Sequence, residues 1–299
     1  MVSHGRIDRM QNDDHSMILL RAIHIAHRRT QRAQAISLLI SMVIACLGVL
    51  AKAAHPPLLP VTTIAGATWA ATYALVLAPW ISRTLRVSAV LQEMLDTYLF
   101  GTRWNTVLVG SPLPEDEVNR LSRRFHGDQS SLRDYYLVAR VAAPYDVLFC
   151  LEQNLSWGSR VRRRYAGLLL AVIVSWCIAG LGVGVVIDAT VAVIVTAWFV
   201  PSLGLLLSFS DAARAQLTNT AERTRAAQLV RTIEHEHPTL PLAEAQTVTD
   251  FIRQVQDVLF LARRQQPRTP QWFFRLSHAD DMADFQYRKH ALEDRAGSP

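Results

Sequence analysis

Four stretches free of Asp, Glu, Lys and Arg constrain this chain more than any other feature: 33–51 is 19 residues long, 53–82 is 30, 165–187 is 23 and 189–210 is 22. A helix rising about 1.5 Å per residue crosses about 30 Å of hydrocarbon in about 20 residues, so each stretch is long enough to span a bilayer. The chain has 299 residues, 50% of them hydrophobic and 19% charged, with a mean hydropathy of +0.14, which excludes a disordered chain and speaks against an ordinary soluble enzyme. Only Cys46, Cys150 and Cys177 are present, and two of them lie inside apolar stretches, so a secreted disulfide scaffold is excluded as well.

The net charge of +6 is distributed as membrane topology requires. Arg28, Arg29 and Arg32 flank the first stretch, Arg83 and Arg86 follow the second, Arg160, Arg162, Arg163 and Arg164 precede the third, and Arg214 follows the fourth; Lys52 alone stands on the opposite side. The positive-inside rule then predicts a multi-pass membrane protein with both termini and the long middle segment cytoplasmic and the two short turns outside. About 30 residues, including Asp8, Asp13 and Asp14, precede the first stretch with no small-residue cleavage site behind it, so the first span is expected to stay in the mature protein.

The expected fold is an all-α membrane protein with four transmembrane helices in two hairpins and a helical cytoplasmic domain. Its parts are an N-terminal helix (1–32), a first hairpin (33–82), a middle cytoplasmic region (83–164), a second hairpin (165–210) and a C-terminal cytoplasmic region (211–299). The hairpins turn at Lys52–Pro57 and around Asp188. Gly180 and Gly184, one helical turn apart, allow a close helix contact, either between copies or within the hairpin. Pro201 predicts a bend in the fourth span. No span holds an ionisable Asp, Glu, Lys or Arg, which argues against a coupled transporter.

All three cytoplasmic pieces read as helical. Val87, Val90, Leu91, Met94, Leu95, Tyr98 and Leu99 continue the second span as an apolar stripe; Pro114, Glu115 and Asp116 start a helix burying Val118, Leu121 and Phe125. Another helix is expected from Pro144 into the third span. Val248, Phe251, Ile252, Val255, Leu259 and Ala262 form a further stripe, ahead of a breaker at Pro267–Pro270 and a charged helix over Asp280–Arg295.

Catalytic and metal constellations are missing from the pattern. Glu234-His235-Glu236-His237 offers ligand types, but adjacent residues face different sides of a helix. No CxxC or GxSxG occurs, and His24 and His27 read as groups near the membrane surface. No catalytic residue, metal or cofactor is assigned. Arginine beside aromatics is more informative, since arginine forks bind phosphate bidentately and aromatic faces stack on bases. Three clusters have that character: Arg103, Trp104 and Asn105; Asn154, Trp157 and Arg163 within the Gln153–Tyr165 stretch; and Arg263 with Arg264, Trp272 and Phe273. Each also has a plainer reading, as core filling, interface anchoring or contact with anionic lipid.

Taken in order around the four spans, these clusters resemble the SMODS-associating four-transmembrane effector family. The stretches that carry the resemblance are Val90-Leu-Gln92-Glu-Met-Leu-Asp96 running to Phe100 and Trp104-Asn105; Arg133-Asp134-Tyr135-Tyr136; Cys150 with Asn154, Trp157 and Arg162-Arg163-Arg164-Tyr165; and Val255-Gln256-Asp257 with Phe260, Arg263, Pro270, Trp272 and Phe273. The chain departs from the family pattern at Leu151-Glu152-Gln153, where a Gln directly after the Cys is expected, and after Phe274, where a basic position is not matched.

The resemblance implies a membrane effector of a cyclic-oligonucleotide antiphage system, partnered with a nucleotidyltransferase that makes a cyclic dinucleotide or trinucleotide messenger. It implies that messenger binding drives homo-oligomerisation against membrane lipid and loss of membrane integrity. The ligand contacts expected from the three clusters are Arg103, Trp104, Asn105, Asn154, Trp157, Arg163, Arg263 and Trp272, and the spacing of Gly180 and Gly184 offers a helix-packing face. A membrane scaffold recruiting a cytosolic partner through its last 90 residues, or a small channel, are the alternatives.

Overall fold

The computed structural model describes residues 6–54, 56–156, 159–236, 245–265, 269–270, 273 and 278–297. It contains α1 (Arg6–Met10), α2 (Asp14–Ala54), α3 (Leu59–Thr72), α4 (Ala78–Phe100), α5 (Thr106–Val109), α6 (Glu115–Ser122), α7 (Tyr145–Ser156), α8 (Ser159–Val186), α9 (Val191–Ile194), α10 (Val200–Glu236), α11 (Ala245–Gln265) and α12 (His278–Gly297). Among the described residues there is no strand. Four helical runs are long and apolar enough to cross a membrane: Asp14–Ala51, Leu59–Phe100, Tyr145–Val186 and Val191–Glu234. The all-α membrane class expected from the sequence is what the chain adopts.

Two units divide the chain: Met1–Arg28, Leu85–Arg162 and Thr218–Pro299 form one, and Arg29–Thr84 with Arg163–Leu217 form the other. In the first, the apolar stripes of α2 (Leu19, Ile23), α4 (Leu91, Leu95, Leu99), α7 (Leu148, Leu151, Leu155), α10 (Val230) and α11 (Ile252, Val255, Leu259) meet in one core. Side chains of this size contribute roughly 1.5–3 kcal/mol each when fully buried. Asp13 starts α2: its Oδ1 accepts the Ser16 N–H at 2.8 Å and its Oδ2 accepts the Tyr98 hydroxyl at 2.6 Å, tying the cap to α4.

The middle region is less helical than its sequence suggests. Gly101 and Gly110 adopt φ of +68° and +84°, and Asp134 adopts 51°, so helix stops after α4, resumes only in short pieces and gives way before α7. Between 134 and 140, four backbone N–H groups bond to side chains. Asp134 donates to Asn12 Oδ1 (3.1 Å), Tyr136 to Gln11 Oε1 (2.9 Å), Leu137 to Gln153 Oε1 (3.1 Å) and Arg140 to Glu293 Oε1 (2.7 Å). His24 and His27 also differ from their surface reading: His24 meets the Phe125 ring edge-on at 5.1 Å, and His27 is buried.

The second unit packs by small residues inside and apolar ones outside, the pattern of helices in lipid. Ile64, Leu75, Ile178 and Val185 are 64–79% exposed. Inside, Gly48, Gly66 and Gly204 let helices close: a Cβ on Gly66 would lie 2.4 Å from Pro201 Cα, and one on Gly204 2.4 Å from the Trp69 indole. Two π turns interrupt the spans, Tyr73–Leu77 and Val195–Phe199. In the π register the carbonyl of Thr196 faces residue 201, which is proline and has no N–H to give. The Thr63 hydroxyl lies 2.8 Å from that carbonyl and 2.8 Å from the Leu59 carbonyl, so its one proton is shared between its own helix and the acceptor that Pro201 leaves. Indoles complete the polar bonding: Trp69 donates to Ser41 Oγ (2.7 Å), Trp176 to Ser202 Oγ (2.9 Å) and Trp198 to the Trp176 carbonyl (3.2 Å).

Candidate functional site

Glu93 and Asp96, three residues apart on α4, lie on the face that meets α11 and are 0% and 1% exposed. Buried carboxylates persist only when paired. Arg253 Nη2 donates to Glu93 Oε1 at 2.6 Å, and Arg263 Nη1 donates to Asp96 Oδ2 at 2.6 Å. Both arginines belong to α11, on a stripe with Gln256 and Phe260.

From Asp96 the network continues inward. Its Oδ1 accepts the Tyr136 hydroxyl at 2.6 Å, that hydroxyl accepts Asn154 Nδ2 at 2.6 Å, and the Asn154 carbonyl accepts Arg223 Nη1 at 3.2 Å. From Arg253 it continues outward: Nε donates to Asp257 Oδ1 (3.1 Å) and Nη1 to the Arg103 carbonyl (2.9 Å). Asn105 joins there, giving Nδ2 to Asp257 Oδ2 at 3.0 Å while its Oδ1 caps α5 through Leu108 N–H at 3.2 Å. Trp104 closes the same turn by donating to the Gly110 carbonyl at 2.7 Å.

Burial and the Asp96 carboxylate push the Tyr136 phenol well above its usual range, so it remains a donor. Burial works against the charge of Arg263, but Asp96 and the neighbouring tyrosines hold its pKa above that of an ordinary arginine. The seam is not fully bonded: among the described residues, both polar ends of the buried Gln256 amide and Arg263 Nη2 find no hydrogen-bond partner. Unmet groups of this kind cost about 1–3 kcal/mol each.

Of the residues singled out in sequence, Arg103, Trp104, Asn105, Asn154 and Arg263 are joined through this network, with the Arg103 guanidinium exposed. Arg163 is exposed on α8, in the other unit. Trp157 and Trp272 lie outside the described residues. Sequence reading passed over Glu93 as a partner and Arg253 altogether; their signal was acids at i, i+3 inside an apolar stripe, with basic residues inside another. Glu152, at the departure noted after Cys150, is also fully buried: its Oε1 accepts Arg231 Nε at 2.6 Å and pairs with Arg288, which reaches Glu234 as well at 3.2 Å. Gly180 faces the Trp198 indole and Gly184 the Ile194 side chain, with a Cβ on either falling within 2.5 Å of those atoms.

The family model of the SMODS-associating 4TM effector domain matches residues 5–292. The chain belongs to that family. It is a multi-pass membrane protein carrying that effector domain. A segment of 195 residues is 25% identical to a protein of Bacillus cereus (strain VD146) named as a probable CBASS effector molecule. That match spans 64% of this chain and 64% of the relative's length. No solved structure matches the chain.

Proposed function

We propose that this effector binds a cyclic oligonucleotide at the seam between α4 and α11 and answers by assembling into an oligomer that breaches the membrane. The observation that carries the reading is the pairing of Arg253 and Arg263 with Glu93 and Asp96 on the helix that continues the second span. A phosphodiester offers an arginine fork the same two acceptor oxygens as a carboxylate. A messenger with two or three phosphodiesters therefore competes with Glu93 and Asp96 for the arginines. The exposed Arg103 guanidinium and the half-buried Trp104 stand at the outer edge, where a ligand first arrives and a base can stack.

Release of the arginines leaves two uncompensated carboxylates on α4, so its packing shifts and the displacement is carried along one helix toward the bilayer. The messenger needs only a higher affinity for the opened form to move the population. Arg163, Trp157 and Trp272 are proposed as further contacts, and a cognate nucleotidyltransferase as the source of the messenger. The basic residues flanking the spans support cytoplasmic termini; the bacterial inner membrane is the location that the family implies, and on this reading the seam faces the compartment where a soluble messenger is made.

Dye-loaded proteoliposomes challenged with a panel of cyclic dinucleotides and trinucleotides test the reading. One member of the panel is expected to trigger release, and Arg103→Ala to weaken the response without reducing insertion. A response retained in both Arg103→Ala and Arg163→Ala removes those residues from the ligand set. Silence across the panel overturns the sensor reading in favour of a scaffold that recruits a partner through residues 211–299.

A further inference from the structure

Gln256 is fully buried on α11, and among the described residues neither end of its amide finds a hydrogen-bond partner. Other buried glutamines are bonded: Gln11 accepts the Tyr136 N–H, Gln92 donates to the Tyr135 hydroxyl and Gln153 accepts the Leu137 N–H. No other described glutamine leaves a buried polar end unbonded. A position that only needed filling would carry an apolar side chain, as Val255 and Leu259 do on the same helix.

The amide faces α4. Residues 253, 256, 260 and 263 form one stripe at helical spacing, and the other three members all meet that helix: Arg253 at Glu93, Phe260 at Ala89 and Val90, and Arg263 at Asp96. Glu93 presents a second oxygen there, Oε2, which is also buried with no hydrogen bond among the described residues. Besides Arg263 Nη2, the seam therefore holds an unmet amide donor group and two unmet acceptor oxygens.

Those atoms match the amino edge of a nucleobase. Adenine carries an exocyclic amine beside a ring nitrogen: the ring nitrogen accepts from Gln256 Nε2, and the two amine protons supply Gln256 Oε1 and Glu93 Oε2. Cytosine repeats the pattern on a smaller ring. Guanine and uracil place a keto oxygen where the amine would stand, against two acceptor oxygens, and are repelled. Trp104 packs into the cluster that holds Phe260, one helical turn along α11 from Gln256, so the stacking face adjoins the stripe that carries the amide.

We propose that Gln256, together with Glu93, reads the amino edge of a base in the messenger once phosphodiesters have drawn Arg253 and Arg263 away. Adenine is the preferred base, because its larger ring stacks more strongly on Trp104. The inference rests on the messenger reading above and adds to it the base that the messenger contains.

Its test measures equilibrium binding of the same cyclic dinucleotides and trinucleotides to the full-length chain in lipid nanodiscs. Each adenine member is paired with its hypoxanthine counterpart, which has a keto oxygen in place of the amine. Adenine members are expected to bind about tenfold or more tightly than those counterparts, the effect of one bidentate base contact. Gln256→Leu, which removes the unmet amide and is expected to hold or raise the Tm, should bring that ratio to about one while both members still bind through the arginines. The rank of adenine against cytosine members separates the two amino bases. A ratio unchanged in Gln256→Leu overturns the proposal and leaves Gln256 a structural role. Tighter binding of hypoxanthine, guanine or uracil members by the unaltered chain overturns it as well. Binding with no base preference strikes the role of Gln256 alone, whereas no binding of any member strikes the messenger reading and this inference with it.

Discussion

Arg263 and Asp96 are both almost wholly withdrawn from solvent, so each is tolerated because of the other. Arg263→Met or Asp96→Asn alone is expected to cost about 3–5 kcal/mol, read as a large drop in Tm of the detergent-solubilised protein. Replacing both with apolar residues is expected to recover most of that loss. Asp13 behaves differently. Burial raises its carboxyl, but hydrogen bonds from Tyr98 and Ser16 outweigh it and hold the group below the ordinary aspartate range. A depressed folded-state pKa contributes stability above the unfolded value near 3.8 and loses it as pH falls through the folded one. Asp13→Asn is therefore expected to cost about 1 kcal/mol at neutral pH and to flatten the acid limb of a Tm-versus-pH curve below about pH 4. Residue types at this scale were legible in the sequence: Asn105, Asn154 and Arg263 stood out by chemistry. Their partners were not, because Glu93–Arg253 joins positions 160 residues apart and periodicity says which face is buried, not what it meets.

At the scale of the element, the spans were legible because hydrocarbon excludes charge over a length that can be counted. Their internal joints were not. Nothing in the apolar runs distinguishes the α register from the π turns at Tyr73–Leu77 and Val195–Phe199, and the Thr63 bond to Thr196 depends on Pro201 in another helix. The irregular run at 133–144 was missed for a related reason: four of its backbone N–H groups bond to side chains from α7, α12 and the link between α1 and α2. Close packing in the spans makes a sharp comparison possible. Gly66→Ala, whose Cβ would meet Pro201 backbone atoms, is expected to destabilise by about 1–3 kcal/mol. Gly182→Ala, with nothing within 4 Å, is expected to be neutral or stabilising by up to about 1 kcal/mol through helix propensity. Thermal aggregation in detergent measures both.

Across the whole molecule, the charge-free part of α2 covers 19 residues and that of α8 covers 22, or about 28 Å and 33 Å of helix. Two rods in one slab thus call for thicknesses that differ by about 5 Å. Tilt of the longer or thinning around the shorter reconciles them, at a fraction of a kcal/mol per Å. Reconstitution in phosphatidylcholines of increasing chain length is expected to reduce the tilt of α8, measured by oriented infrared dichroism, and to shift the Tm monotonically. Acyl-chain length becomes an input in its own right: a change in lipid composition that no soluble messenger reports acts on the same bundle through its geometry.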